Sequence, residues 1–295
     1  MTCRTVNLRF LDSGLGFAIL FFSYIFACVA SAGFIAWDMM ISNGPLHYLS
    51  RNNGKKLAYR LREGVDSFPT LVFFGGYRSD MTGTKAAFLD HFCAQHTYRF
   101  LRFDYSGHGA SDGDFRDGCI GDWAQDALDV IKATVKGDMI LIGSSMGGWI
   151  GLLVAKALGS RIKGFIGIAA APDFTHHVWH HEMTDPQRAL CKQQGYITTP
   201  DGDTLTLKLL QEGEQHLIFN RPLPLTCPII LLQGKLDNIV PYQTAQKLAT
   251  HITSPTPPEV ILINDGDHRL ARDEDLELLS SHVERILKNT TPEIL

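Results

Sequence analysis

An apolar run, Met139-Ile140-Leu141-Ile142, ends in Gly143-Ser144-Ser145-Met146-Gly147-Gly148, and this stretch constrains the chain more than any other. The run reads as a buried strand that stops at a sharp turn. The small-residue series Gly147, Gly148, Gly151 and Ala155 then reads as a helix packed closely on that strand. Glycine suits positions 143 and 147 because a side chain there would meet the reversing backbone. The turn lifts the Ser145 hydroxyl clear of the chain, as in a nucleophile elbow. At the helix N-terminus, the unpaired N–H of Met146 is available to a developing oxyanion. Without chemistry, the same residues would be only a Gly/Ser-rich turn, so the motif needs partners elsewhere.

Those partners follow in order. A second strand-like run, Pro228–Gln233, leads through Gly234 to Asp237 in the loop Lys235–Pro241. A third, Val260–Ile263, leads to Asn264-Asp265-Gly266-Asp267-His268. A carboxylate past one strand end can reach an imidazole past another. Ser145, Asp237 and His268 thus form a candidate nucleophile, orienting acid and general base. Asp265 and Asp267 are competitors for the acid. Asp267 adjoins His268 and would normally point elsewhere, and Asp265 suits a turn.

Two earlier loops complete the pattern. Thr70–Phe74 reads as a strand, and Gly75-Gly76-Tyr77 after it allows close backbone approach to a substrate. The N–H of Tyr77 is therefore the second candidate oxyanion donor, beside Met146. Gly83-Thr84-Lys85 lacks the G-K-[ST] order of a phosphate loop. Asp104-Tyr105-Ser106-Gly107-His108-Gly109-Ala110-Ser111 follows the strand-like Tyr98–Phe103 and resembles a D-x-x-G-x-G-x-S loop common in one hydrolase superfamily; the resemblance implies a structural role for the loop and no catalytic one for His108.

Residues from about His47 to Leu287 resemble an α/β-hydrolase. The order Ser…Asp…His is the order of that superfamily. The segments Gly76-Tyr77-Arg78-Ser79-Asp80-Met81-Thr82-Gly83-Thr84-Lys85-Ala86, Phe103-Asp104-Tyr105-Ser106-Gly107 and Gly143-Ser144-Ser145-Met146-Gly147-Gly148-Trp149 are more specific. They are similar to the family of the mitochondrial α/β-hydrolase-domain palmitoyl-protein thioesterase, or acyl-glucuronide esterase, and its bacterial relatives. The resemblance implies cleavage of acyl thioesters or activated acyl esters by Ser145, Asp237 and His268, and a mitochondrial location. It stops before about residue 45. A catalytically silent binding protein of the same fold, or a serine peptidase, stays open as an alternative.

Alternating segments support that fold class. Strand-like runs at 56–61, 70–74, 98–103, 139–143, 162–170, 228–233 and 260–263 alternate with helical ones at 84–96, 123–135, 146–158, 242–252 and 273–287. Strands separated by helices require crossovers. The expected architecture is therefore a mostly parallel central sheet with helices on both faces. The polar, His-rich segment 173–221 interrupts the alternation between the strands at 162–170 and 228–233. It contains Trp179 and Tyr196 and stands where a lid is expected. Within it, His176-His177-Val178-Trp179-His180-His181 sets two histidine pairs at i,i+4, each sharing a face if helical. No H-E-x-x-H and no evident third ligand accompany them, so the reading is a solvated or lid-facing helix. The expected chemistry calls for no metal and no cofactor.

Residues 13–37 carry no charge and form a separate appendage, with boundaries near 1–45 against a hydrolase domain at 46–289. About 24 helical residues would span about 36 Å, enough for a hydrocarbon core of ~30 Å. A membrane anchor is the favoured expectation. A cleaved signal peptide with Ala30-Ser31-Ala32 as its site is another, as is a start at Met39 or Met40, which implies a cytoplasmic enzyme. Arg4 and Arg9 before the segment are balanced by Arg51, Lys55 and Lys56 after it, so no orientation follows. The net charge of −4 argues against a nucleic-acid partner. Cys3, Cys28, Cys93, Cys119, Cys191 and Cys227 have no C-x-x-C spacing and read as buried free thiols.

Overall fold

The computed structural model describes residues 44–290, apart from residues 53, 200 and 201. Eight strands form one sheet in the order β1-β2-β4-β3-β5-β6-β10-β12. They are β1 (Leu46–Ser50), β2 (Lys56–Arg62), β3 (Thr70–Phe74), β4 (Phe100–Phe103), β5 (Met139–Ser144), β6 (Ile162–Ile168), β10 (Ile229–Gly234) and β12 (Glu259–Ile263). β1 and β2 pair antiparallel with each other, and β2 pairs antiparallel with β4. Every other neighbour is parallel.

Residues alternate between the two faces of the parallel strands. Leu71, Phe73, Ile140, Ile142, Ile166 and Ile168 pack against α1 (Thr84–His96) and α8 (Asp273–Thr290), where Leu89, Phe92, Val283 and Ile286 are buried. Val72, Phe74, Leu101, Leu141 and Phe165 face the other way. They share a core with α2 (Ile120–Thr134), α3 (Met146–Leu158) and α7 (Gln243–His251). Burial on both faces explains why β3, β5 and β10 are largely apolar runs. The sheet and its two helical layers are an α/β-hydrolase fold.

Between β6 and β10 the chain makes a second, smaller body. It contains α4 (Phe174–His177), which continues as a wide π-turn at Val178–Glu182, and α5 (Asp185–Gln194). Next come the hairpin β7 (Tyr196–Thr198) and β8 (Thr204–Thr206), α6 (Leu207–Glu212) and a 3-10 turn at Gly213–His216. Strand β9 (Leu223–Pro224) pairs with β11 (Ile252–Thr253) outside the main sheet. Asp173 anchors the segment at both ends. Its buried carboxylate accepts the N–H groups of Ile218 and Phe219 at 2.7 and 2.9 Å.

Among the described residues, no helix is long and apolar enough to cross a membrane. The apolar stretch 13–37 lies outside the described residues. Cys93, Cys119, Cys191 and Cys227 are buried and free, as expected of these four. Cys3 and Cys28 fall outside the described residues.

Candidate active site

Ser145 sits between β5 and α3 with φ 54° and ψ −121°. A non-glycine residue in that region stores strain on the order of 1–3 kcal/mol, held in place by its surroundings. Its neighbours over-determine it. A Cβ on Gly147 would lie 2.2 Å from the Phe74 carbonyl oxygen, and one on Gly143 would lie 2.4 Å from the Gly147 oxygen. Strand β3, the turn and α3 therefore touch backbone to backbone. Ser145 N–H also donates to Ile168 O at 2.9 Å, fixing the turn to β6.

The loops after β10 and β12 bring Asp237 and His268 to the same serine. His268 Nε2 lies 3.1 Å from Ser145 Oγ, and His268 Nδ1 lies 2.9 Å from Asp237 Oδ2. A carboxylate only accepts hydrogen bonds, so Nδ1 carries the proton and Nε2 is left to accept from the serine hydroxyl. The Asp237 side chain is fully buried, and that of His268 is mostly covered. Burial pushes the Asp237 carboxyl up. The His268 hydrogen bond and the N–H groups of Val240 and Ile239 outweigh it and hold the group below the usual carboxylate range. Asp237 is thus ionised wherever the enzyme is folded near neutral pH.

The rival acids are engaged elsewhere. Asp265 faces solvent and pairs with Arg272 at 2.7 Å. Asp267 Oδ1 accepts the N–H groups of Arg269 and Leu270, both at 3.0 Å, and so shapes the turn that presents His268.

Gln233 was not anticipated from the sequence. It is fully buried at the end of β10, and its Nε2 donates to Asp237 Oδ2 at 2.8 Å and to Val240 O at 3.1 Å. Asp237 therefore accepts from four donors, His268 included. The available signal was a lone amide closing the apolar run Ile229–Leu232.

Tyr77 and Met146 both border the cavity in front of Ser145. Met146 opens α3. The glycine loop passes close enough that a Cβ on Gly76 would lie 3.4 Å from Ser145 Cβ. The Tyr77 ring leaves the loop and packs edge-on against Phe115, Trp123 and Phe174. Its hydroxyl donates to Thr204 O at 2.5 Å, tying the loop to β8. Burial pushes the Tyr77 phenol well up, so it stays protonated.

The loop after β4 braces this arrangement from behind. Asp104 accepts the N–H of Met81 at 2.7 Å and that of Ala110 at 2.8 Å. A Cβ on Gly109 would lie 2.2 Å from Asp104 Oδ2, so the carboxylate occupies the space a side chain would need. His108 is buried among Tyr105, Phe115 and Trp123, away from the cavity. Burial lowers its imidazole to about 4.

A buried neutral histidine destabilises the fold in acid. The unfolded chain takes up a proton near the ordinary value of about 6.5, and the folded chain only near its lowered one. The stability is fully present above about pH 6.5 and is lost as the pH falls toward 4. His108 alone should account for about 2 kcal/mol of lost stability between pH 7 and pH 5. Urea unfolding at the two pH values measures this, and His108→Leu should shrink the difference by that amount. An unchanged difference would show that His108 titrates alike in the folded and unfolded chains.

The cavity holds about 790 Å³, within the usual range for small-molecule sites of about 300–1,000 Å³. Phe174, Val178, Leu205, Ile239 and Val240 supply apolar wall, and Ser145 and His268 lie on it. Lys85 also lines it, with burial and then the Arg269 charge lowering its amine to about 8. Trp179 is not on this wall, and its ring lies under the Lys192 ammonium. A second hollow, of about 690 Å³, lies at the opposite ends of the strands. Glu63, Asp66, Arg99 and Asp138 line it, and it contains no serine–histidine pair.

Known proteins resemble this chain along most of its length. The alpha/beta hydrolase family model matches residues 71–280. A mouse protein named palmitoyl-protein thioesterase ABHD10, mitochondrial, is 35% identical over 248 residues, 82% of each chain. The human protein of that name is 34% identical, covering 79% of this chain and 77% of its own. The solved mouse ABHD10 structure superimposes with a TM-score of 0.78 at 34% identity, over 83% of this chain and 99% of that one. Est1E from Butyrivibrio proteoclasticus, at 21% identity and a TM-score of 0.70, covers 82% of this chain and 98% of its own and shares the fold. On the matched family model and the extent of the ABHD10 likeness, the chain belongs to the alpha/beta hydrolase family.

Proposed function

We propose that this enzyme hydrolyses acyl thioesters and acyl esters through an acyl-enzyme on Ser145, with long-chain acyl thioesters of the palmitoyl-protein type as substrates. Ser145 Oγ attacks the acyl carbonyl carbon as His268 Nε2 takes its proton. The negative charge moves to the carbonyl oxygen, where the N–H groups of Tyr77 and Met146 stabilise it. Asp237 holds the imidazole and its charged form in place. The tetrahedral species collapses, the thiolate or alkoxide leaves, and His268 returns the proton to it. Water then attacks the acyl-serine, gives a proton to His268, and the second collapse releases the acid and restores Ser145.

The observation that carries this reading is His268 standing 3.1 Å from a strained serine and 2.9 Å from a buried carboxylate. The names of the mouse and human relatives support the thioester and palmitoyl parts. The apolar cavity wall supports an acyl chain, and we assign Asp173–Arg221 as its lid.

Rates on acyl thioesters and esters from two to sixteen carbons test the reading. Long-chain thioesters should be preferred. Faster cleavage of peptide amides would make the enzyme a peptidase, and absence of turnover would make it a binding protein. The lid assignment has its own test. Val178→Ala should lower kcat/KM on a sixteen-carbon thioester by about tenfold, while an acetyl ester keeps its rate. Equal loss on both would remove Val178 from the acyl-chain wall.

A further inference from the structure

The histidine cluster of the insertion gains in the fold the third ligand that the local sequence lacks. His176 and His180 come from α4 and the π-turn that continues it. Glu214 comes from the 3-10 turn, 38 positions after His176. His176 Nδ1 lies 2.9 Å from Glu214 Oε1, and His180 Nε2 lies 3.7 Å from the same oxygen. The two rings stand 4.4 Å apart. One ligand atom from each of the three residues falls within 4.8 Å of the others.

We propose that His176, His180 and Glu214 form a site for a divalent transition-metal ion of the zinc type. Zinc takes imidazole nitrogen at about 2.0–2.1 Å and carboxylate oxygen at about 2.0–2.2 Å, so tetrahedral ligand atoms stand roughly 3.3 Å apart. The two nitrogen–oxygen separations bracket that value, and small side-chain rotations suffice to reach it. All three side chains are a third to a half exposed, which leaves the fourth position to water. Neutral imidazoles and a carboxylate are the ligand set that zinc takes.

The site has a consequence for the cavity. His176 and His180 lie on one side of a segment whose Phe174, His177 and Val178 line the acyl pocket. A bound ion would tie that wall to the turn carrying Glu214, and would thereby stiffen it.

The test uses the full chain, freed of metal by chelation and titrated with zinc chloride by calorimetry. One ion per chain should bind, and the thermal midpoint should rise by several degrees at saturating zinc. His180→Ala and Glu214→Gln should each weaken binding by at least about tenfold and shrink the thermal shift at the same zinc concentration. Cobalt substituted for zinc should give a tetrahedral visible spectrum without thiolate charge-transfer bands. No binding at micromolar zinc, or binding unchanged in both variants, would overturn the proposal and leave a histidine–carboxylate ion pair. Because the readouts are binding and stability, they stand apart from whether the enzyme prefers thioesters.

Discussion

Ser145→Ala should lower ester and thioester turnover by about 10⁴–10⁶-fold, with circular dichroism and the thermal transition unchanged. The reason lies in what the substitution removes. Alanine keeps the Cβ, so the packing of the turn against Phe74 and Gly147 is retained, and the left-handed backbone is no more strained than before. Only the hydroxyl goes, and with it the atom 3.1 Å from His268. Rates on an acetyl thioester, read beside a melting curve, separate lost chemistry from lost fold. Near-normal turnover in a folded variant would remove Ser145 from the mechanism.

Asp237→Asn should approach a loss of ~10⁴ in kcat. The N–H groups of Ile239 and Val240 both donate to Oδ1 and will select the amide oxygen there. The amide nitrogen then turns toward His268 and Gln233, which already offers a donor at that place. His268 Nδ1 must accept, its proton moves to Nε2, and the ring can no longer take the serine proton. Asp265→Asn and Asp267→Asn should each keep kcat within about threefold. Asp265 makes only a surface pair with Arg272, which is worth little. Asp267 shapes a turn that asparagine also supports. Comparing kcat for the three variants on one substrate decides the matter. A larger loss at Asp265 or Asp267 would move the acid there.

The buried strands were legible because both of their faces are covered. Thr70–Phe74, Met139–Ser144 and Ile229–Gly234 are apolar at nearly every position, and a helix follows each. The elbow helix was legible to the residue, since Met146 and Leu158 bound a series of small and apolar residues. Strand β1 was not. Leu46–Ser50 lies at the sheet edge, largely exposed, and carries no apolar alternation to read. The Tyr196–Thr198 and Thr204–Thr206 hairpin escaped for a similar reason, being three residues a side and half threonine. Helix α2 begins at Ile120, three residues before the Trp123 start expected, because the ring of Trp123 marks the core contact and not the cap.

Site legibility followed a different rule. Ser145, Asp237 and His268 could be picked because each follows a strand, and strands of a parallel sheet deliver their ends to one side. Gln233 could not, because its role depends on a carboxylate four positions on folding back over it. Glu214 could not be paired with His176 from sequence either. Only the fold brings the 3-10 turn beside α4. Trp179 drew notice as the large aromatic of the insertion, yet the wall is built from Phe174, Val178 and Leu205 instead.

The most direct measurement is peptide mapping of the full chain after reaction with a fluorophosphonate and, separately, with a long-chain acyl thioester quenched in acid. The account predicts a single covalent adduct in each case, on the peptide carrying Ser145. Neither adduct should form in Ser145→Ala. An adduct on any other residue, or sustained hydrolysis with none on Ser145, would contradict it.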